Sequence, residues 1–129
     1  MGTIATLMLL AALLPYCAAV AAKAGGKSYD NDDPRAWLAR QAGWRARANA
    51  AQANLFEGLP FFYGAVLFAL YGQAVRGTLV GLMAAWVVVR ILYIVIYVAG
   101  YGSLRTAVWG VALVLNIAIL FSPQLFGLA

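Results

Sequence analysis

Four runs of apolar residues, at about 4–22, 46–75, 79–98 and 104–121, leave this chain few folds to choose from. A helix needs roughly 20 predominantly apolar residues to cross the hydrocarbon core of a bilayer. A spanning segment meets no water there, so it must satisfy its backbone polar groups internally, as a helix does. The four runs use most of the 129 residues, and 65% of the chain is apolar against 10% charged. Soluble domains average about 45–50% apolar and about 25% charged. The expected fold class is therefore an all-α membrane protein. It is a four-transmembrane-helix up-down bundle, one domain over residues 1–129, with a polar loop at 23–45.

The connections sharpen this. Pro15 lies within the first run, where a membrane helix tolerates it. Ala19-Val20-Ala21 has the small residues of a cleavage site, but the run lacks a basic start, so a retained helix is expected rather than a signal peptide. Gly25-Gly26 ends this helix, and Asp33-Pro34 starts a new turn with an aspartate cap and Pro in the first helical position. Trp37 and Trp44 read as interfacial anchors, and Arg76-Gly77 and Gly100–Ser103 as short turns. Short connections force neighbouring helices to run antiparallel. Lys23, Lys27, Arg35, Arg40, Arg45, Arg47 and Arg105 then share one side, and Arg76 stands opposite. The positive-inside rule puts the loop in the cytoplasm and both termini outside it.

The net charge of +5 follows this topology, so nucleic acid is not an expected partner; the lipid bilayer is. The chain has no His and a single Cys17 in an apolar run, which leaves no disulfide and no expected metal site. The informative residues are polar ones inside the spans. A charge at the centre of a membrane helix costs roughly 2.5–3.5 kcal/mol on insertion scales, so it needs a partner or a function. Glu57 and Arg90 are the deepest, on successive helices, and an ion pair between them is one reading. Arg47 and Asn54 are seven apart and share a helix face, with Glu57 beside them. Arg90, Tyr93 and Tyr97 share a face of the third helix, and Arg105 opens the fourth at the cytoplasmic end. Together they can line a polar pocket in the cytoplasmic half, suited to a small, flexible anion with several polar groups. Arginine grips carboxylates with a planar fork, and Asn and Glu can take an amide and an amine.

The stretch from Arg47 through Gln52, Asn54 and Glu57 to Pro60-Phe61-Phe62 resembles the second helix of the MAPEG family, the membrane-associated proteins of eicosanoid and glutathione metabolism. Arg90 to Tyr97, followed by Ser103-Leu104-Arg105, resembles that family's third helix and the start of its fourth. The resemblance implies a homotrimer with sites between adjacent subunits, open to the cytoplasm. It also implies glutathione as co-substrate and a lipophilic small-molecule second substrate. By motif position, Asn54, Glu57, Tyr93 and Tyr97 are the implied glutathione contacts, with Arg47, Gln52 and Arg90 as further candidates. Arg105 resembles the arginine that stabilises the glutathione thiolate. A free thiol has a pKa of about 8.5, and a nearby cation favours the nucleophilic thiolate.

Two positions and one interval depart from the eukaryotic pattern and resemble a bacterial branch, which implies a bacterial inner membrane. Ala50 stands where an arginine is usual, and Arg47 lies about one turn earlier. Gly58 replaces a ligand-contacting tyrosine, and the interval from Tyr97 to Arg105 is one residue longer. The function expected from the resemblance is a glutathione-dependent transferase or peroxidase acting on lipophilic electrophiles or hydroperoxides. The alternatives are a non-catalytic protein of the same fold that binds a lipid or small anion, and a structural helical subunit. The acidic run Asp30, Asp32 and Asp33 reads as a solvated turn with a helix cap.

Overall fold

The computed structural model describes residues 1–127. Its helices are α1 (Gly2–Lys23), α2 (Pro34–Ala39), α3 (Trp44–Tyr71), α4 (Arg76–Ala99), α5 (Gly102–Leu120) and α6 (Ser122–Phe126). No strand occurs among the described residues. α1, α3, α4 and α5 are each long and apolar enough to cross a membrane. The chain is an integral, multi-pass, all-α membrane protein, as the four apolar runs require.

The helix ends differ from the apolar pattern for local reasons. α3 stops at Tyr71, before the last apolar residues of its run, because Gly72 caps it and Gln73 takes a positive φ of 58°. The turn therefore lies at 72–75, and Arg76-Gly77 opens α4 instead of forming the turn. Gly100 ends α4 in the left-handed region, at φ 92°, where a side chain would be strained. Two short helices escaped the apolar pattern's resolution, although the start of α2 was legible. Asp33 caps it by accepting from the Ala36 amide at 3.4 Å, with Pro34 in the first turn.

α1 packs against α3 and α4, while α5 packs against α4 and α3. The core between them holds Ile4, Phe62, Val66, Leu79, Met83, Trp86 and Ile119, interleaved with alanines such as Ala11, Ala65, Ala69 and Ala112. Small residues let helix backbones approach closely in a bilayer, where association depends on packing more than on apolar burial. Phe62 of α3 stacks on Trp86 of α4 with ring centroids 3.9 Å apart. The Tyr63 hydroxyl donates to the Met8 carbonyl at 2.7 Å, tying α3 to α1. The outer surface carries Leu9, Leu13, Leu67, Phe68, Val95 and Val114, the side chains a lipid-facing wall needs.

The polar loop folds back on the bundle. Trp37 is buried with Leu38 against Ala22 and Ala48, so it is a loop core residue and not the interfacial anchor its position suggested. Its indole N–H donates to the Lys27 carbonyl at 3.2 Å, and its ring meets Tyr29 edge to face. Trp44 is exposed, with the Arg45 guanidinium 4.3 Å over its ring. Gly26 lies against the Trp37 ring, where an added methyl would collide with the rigid indole edge. Gly26→Ala is expected to destabilise the loop by about 1–3 kcal/mol. Faster proteolysis between Lys23 and Gly43, with the spans unaffected, would register it.

Candidate functional site

The halves of α3, α4 and α5 nearest the polar loop line an open cavity of about 390 Å³. Its walls carry Asn54 and Glu57 from α3, Tyr93 and Tyr97 from α4, and Arg105 with Thr106 and Trp109 from α5. Five of the candidate residues thus meet around one space, within the range of about 300–1,000 Å³ usual for small-molecule sites. Helical spacing does this: residues three or four apart on each helix turn toward the same groove.

An aromatic and cationic ladder shapes the floor. The Arg105 guanidinium lies 4.6 Å over the Tyr97 ring. Tyr97 meets Tyr93 edge to face at 5.6 Å. The Arg90 guanidinium lies 4.7 Å over Tyr93 and 5.6 Å over Trp86. Such stacked guanidinium contacts strengthen once desolvated. Arg105 occupies the first turn of α5, whose backbone N–H groups give that end a positive partial charge. A cation there adds to the field instead of relieving it. The helix gains nothing from it, and an anion held in the cavity does.

Arg90 is almost wholly buried, at 2% exposure. Its Nη2 donates to the Asn54 side-chain Oδ1 at 3.0 Å and to the Asn54 backbone carbonyl at 3.1 Å. Both bonds go to Asn54 and neither to Glu57, so the Glu57–Arg90 ion pair is replaced by an Asn54–Arg90 clamp. That leaves the Glu57 carboxylate, which is exposed, free to face the cavity. Gly58 explains the clamp's room. A Cβ there would stand 3.1 Å from Arg90 Nη2, so a larger side chain at this position crowds the guanidinium. Gly58→Val is expected to push Arg90 off Asn54 and lower the thermal unfolding midpoint, with a cost of about 1–3 kcal/mol. Gly58→Ala should cost less, since the guanidinium need give only slightly.

The other two candidates lie elsewhere. The Arg47 Nε donates to the Val98 carbonyl at 3.1 Å, pinning the start of α3 to the end of α4 beside Gly100. It borders a small cleft shared with Arg105, not the main cavity. Gln52 faces a second cavity of about 500 Å³ on the other side of α3, with Lys23, Arg35 and Asn49. Its Oε1 is buried there without a hydrogen-bond partner. Ala50 and Ala53 border both cavities, so only the thin alanine wall of α3 separates them. Asp30 and Asp33 make local turn and cap bonds, and the acidic run borders neither cavity.

Sequence reasoning missed Thr106, Trp109 and Asn116. Their signal is the stripe Arg105, Trp109, Ala112 and Asn116, spaced three and four apart along α5, with one amide in the middle of an otherwise apolar span. Among the described residues, no group of three His, Cys, Asp or Glu stands together.

No curated protein and no solved structure matches the chain. The family model described as "MAPEG family" matches residues 1–123, nearly its entire length. With four membrane helices and this polar groove, the chain belongs to the MAPEG family.

Proposed function

We propose that the protein is a glutathione-dependent transferase acting on lipophilic electrophiles. The observation that carries this reading is the placement of Arg105, in the positive first turn of α5, on the same cavity as Asn54, Glu57, Tyr93 and Tyr97. Glutathione has one amine, two amides, two carboxylates and a thiol. Glu57 suits the amine, Asn54 and the tyrosine hydroxyls suit the amides, and Arg105 suits the thiolate. Arg90, held by Asn54, supports the wall from behind. In the reaction, the thiolate attacks an electrophilic carbon and forms a C–S bond. The leaving group departs with the bonding electron pair, or a strained ring opens and its oxygen takes a proton.

The two carboxylates need cations that this cavity does not offer beyond Arg105. Lys23 and Arg35 line the second cavity with Gln52, facing away across α3. A site between subunits of a homotrimer resolves this, because the α1–α3 face of one subunit can close over the α3–α5 face of the next. A heterologous interface of this kind closes into a ring. The positive-inside pattern supports a mouth in the cytoplasm with the termini outside, and the resemblance to a bacterial branch supports a bacterial inner membrane.

The test uses purified protein with glutathione and a panel of lipophilic aryl halides, epoxides and hydroperoxides. Conjugate formation supports the transferase. Reduction of hydroperoxides alone would make the protein a peroxidase on the same site. Neither reaction, with no glutathione bound, would return the reading to a non-catalytic binder of a lipid or small anion, which Ala50 and Gly58 motivate.

A further inference from the structure

Only Gly100 and Tyr101 join α4 to α5, and a second glycine, Gly102, opens α5. The stack at the cavity wall spans this short turn, with Tyr97 in the last turn of α4 and Arg105 in the first turn of α5. The final carbonyls of a helix have no partner within it. Here the turn meets two of them: the Gly100 amide donates to the Ile96 and Tyr97 carbonyls, and the Tyr101 amide to Ile96. The next carbonyl, Val98, is met from another helix, by the Arg47 Nε at 3.1 Å. The same guanidinium covers the turn. Its Cζ, Nε and Nη2 lie 3.5–3.7 Å from where a Gly100 side chain would begin.

Arg47 and Arg105 share one small cleft, of about 40 Å³, with Tyr97, Gly100, Tyr101 and Gly102. The Arg47 guanidinium lies against Gly100 and the Arg105 guanidinium over Tyr97, both residues of that cleft. A space this small is narrower than the ~8 Å over which physiological salt screens charge, so the two cations repel. The repulsion is unequal in its effect. Arg47 is anchored, because a cation suits the carbonyl end of α4. Arg105 stands in the positive first turn of α5, and its recorded partner is the Tyr97 ring. A neutral, donor-free side chain at position 47 changes both conditions. The Val98 carbonyl loses its donor, and the cleft loses the charge that keeps Arg105 out of it. Arg105 then has a backbone acceptor to turn to, and a hydrogen bond from a charged donor is among the stronger ones.

We propose that Arg47 is the positioning residue of Arg105: by occupying the Val98 carbonyl and charging the cleft, it keeps the Arg105 guanidinium on the Tyr97 face, at the wall of the main cavity. Arg47 does not line that cavity and acts only through Arg105. The consequence for catalysis rests on the preceding reading, in which Arg105 suits the thiolate.

The experiment uses full-length protein in phosphatidylcholine nanodiscs, with isotope-labelled arginine, and has two readouts. The first is magnetic resonance without glutathione. The Arg105 Nε–H signal, assigned by its loss in Arg105→Lys, is shifted by the Tyr97 ring, and Tyr97→Leu gives its position without the ring. Arg47→Met should move the signal most of the way to that position, whereas Arg47→Lys, which keeps charge and donor, should leave it near the wild-type one. Arg47→Gln keeps an N–H donor and loses only the charge, so it should move the signal part of the way, and it serves in place of Arg47→Met if that variant does not fold. The second readout is the thiolate absorbance of bound glutathione, with the conjugation rate, across pH. Arg47→Met should lose about five- to tenfold of both at neutral pH, where a free thiol is only a few per cent ionised. It should regain the wild-type rate as pH rises past about 8.5, and Arg47→Lys should keep most of both throughout. A side chain that merely caps α4 would lower the unfolding midpoint and the rate evenly across pH and leave the Arg105 signal in place. An Arg105 signal unmoved by loss of the Arg47 charge, or a rate deficit equal at every pH, overturns the proposal. If the wild type holds no thiolate while Arg47→Met still moves the Arg105 signal, the glutathione reading fails and the positioning stands.

Discussion

Replacing Arg105 with alanine should lower the rate of thiol conjugation about a hundred- to thousandfold, with little change in stability. Under the proposed function, the size follows from removing one preorganised positive group from a site where negative charge is held on sulfur. The stability expectation follows from position. Arg105 is only partly buried, and its recorded partner is the face of Tyr97. A cation in the first turn of α5 opposes the helix dipole, so its loss removes a small penalty. The effect should shrink as pH rises through the ordinary thiol range, because free glutathione then ionises without help. Arg105→Lys should recover part of the rate, since a point charge remains while the planar stack on Tyr97 is lost. Steady-state rates across pH, with gel filtration to show an unchanged assembly, would check this.

Asn54→Leu should be the most damaging single change in the groove for folding and binding together. It removes the Oδ1 acceptor from a guanidinium that is almost completely buried, leaving only the backbone carbonyl of residue 54. A hydrogen bond to a charged group contributes about 1.5–3 kcal/mol, and the thermal midpoint should fall accordingly. The freed guanidinium then has one carboxylate to turn to, Glu57 on the same cavity wall. That pairing would take Glu57 away from the ligand's amine, so glutathione affinity should drop at least tenfold. The double variant Asn54→Leu with Arg90→Met should regain most of the stability, because removing both partners of a buried polar pair can be nearly neutral. It should not regain the binding. Recovery of both would place Asn54 in the structure alone, outside the site.

Much of this was legible in the sequence, and the exceptions have physical causes. Four apolar runs compel four spans, because a bilayer accepts few other backbones. Asp33-Pro34 announces α2 because a cap is a local matter. The α3–α4 turn was misplaced because hydropathy continues to Val75, whereas the chain turns where Gly72 and Gln73 let the backbone turn. Helical spacing gathered Asn54, Glu57, Tyr93 and Tyr97 onto one groove. It could not tell that Arg90 would choose the Asn54 amide over the Glu57 carboxylate, since that depends on the room Gly58 leaves. Arg47 shares the Asn54 stripe but is drawn off to the Val98 carbonyl, a backbone partner that no side-chain pattern reveals. Gln52 lies two residues from Asn54 and so turns to the opposite face of α3. Asn116 was overlooked because a scan for charges passes over a neutral amide.

The most direct test of the central claim is calorimetric titration of the detergent-purified protein with glutathione, in two buffers of different ionisation enthalpy near neutral pH. If Arg105 holds the thiolate, the wild type binds glutathione saturably and releases close to one proton for each molecule bound. Arg105→Ala then binds more weakly and releases none. Saturable binding with no proton release in the wild type would contradict the role given to Arg105, and no saturable binding at millimolar glutathione would contradict the site itself.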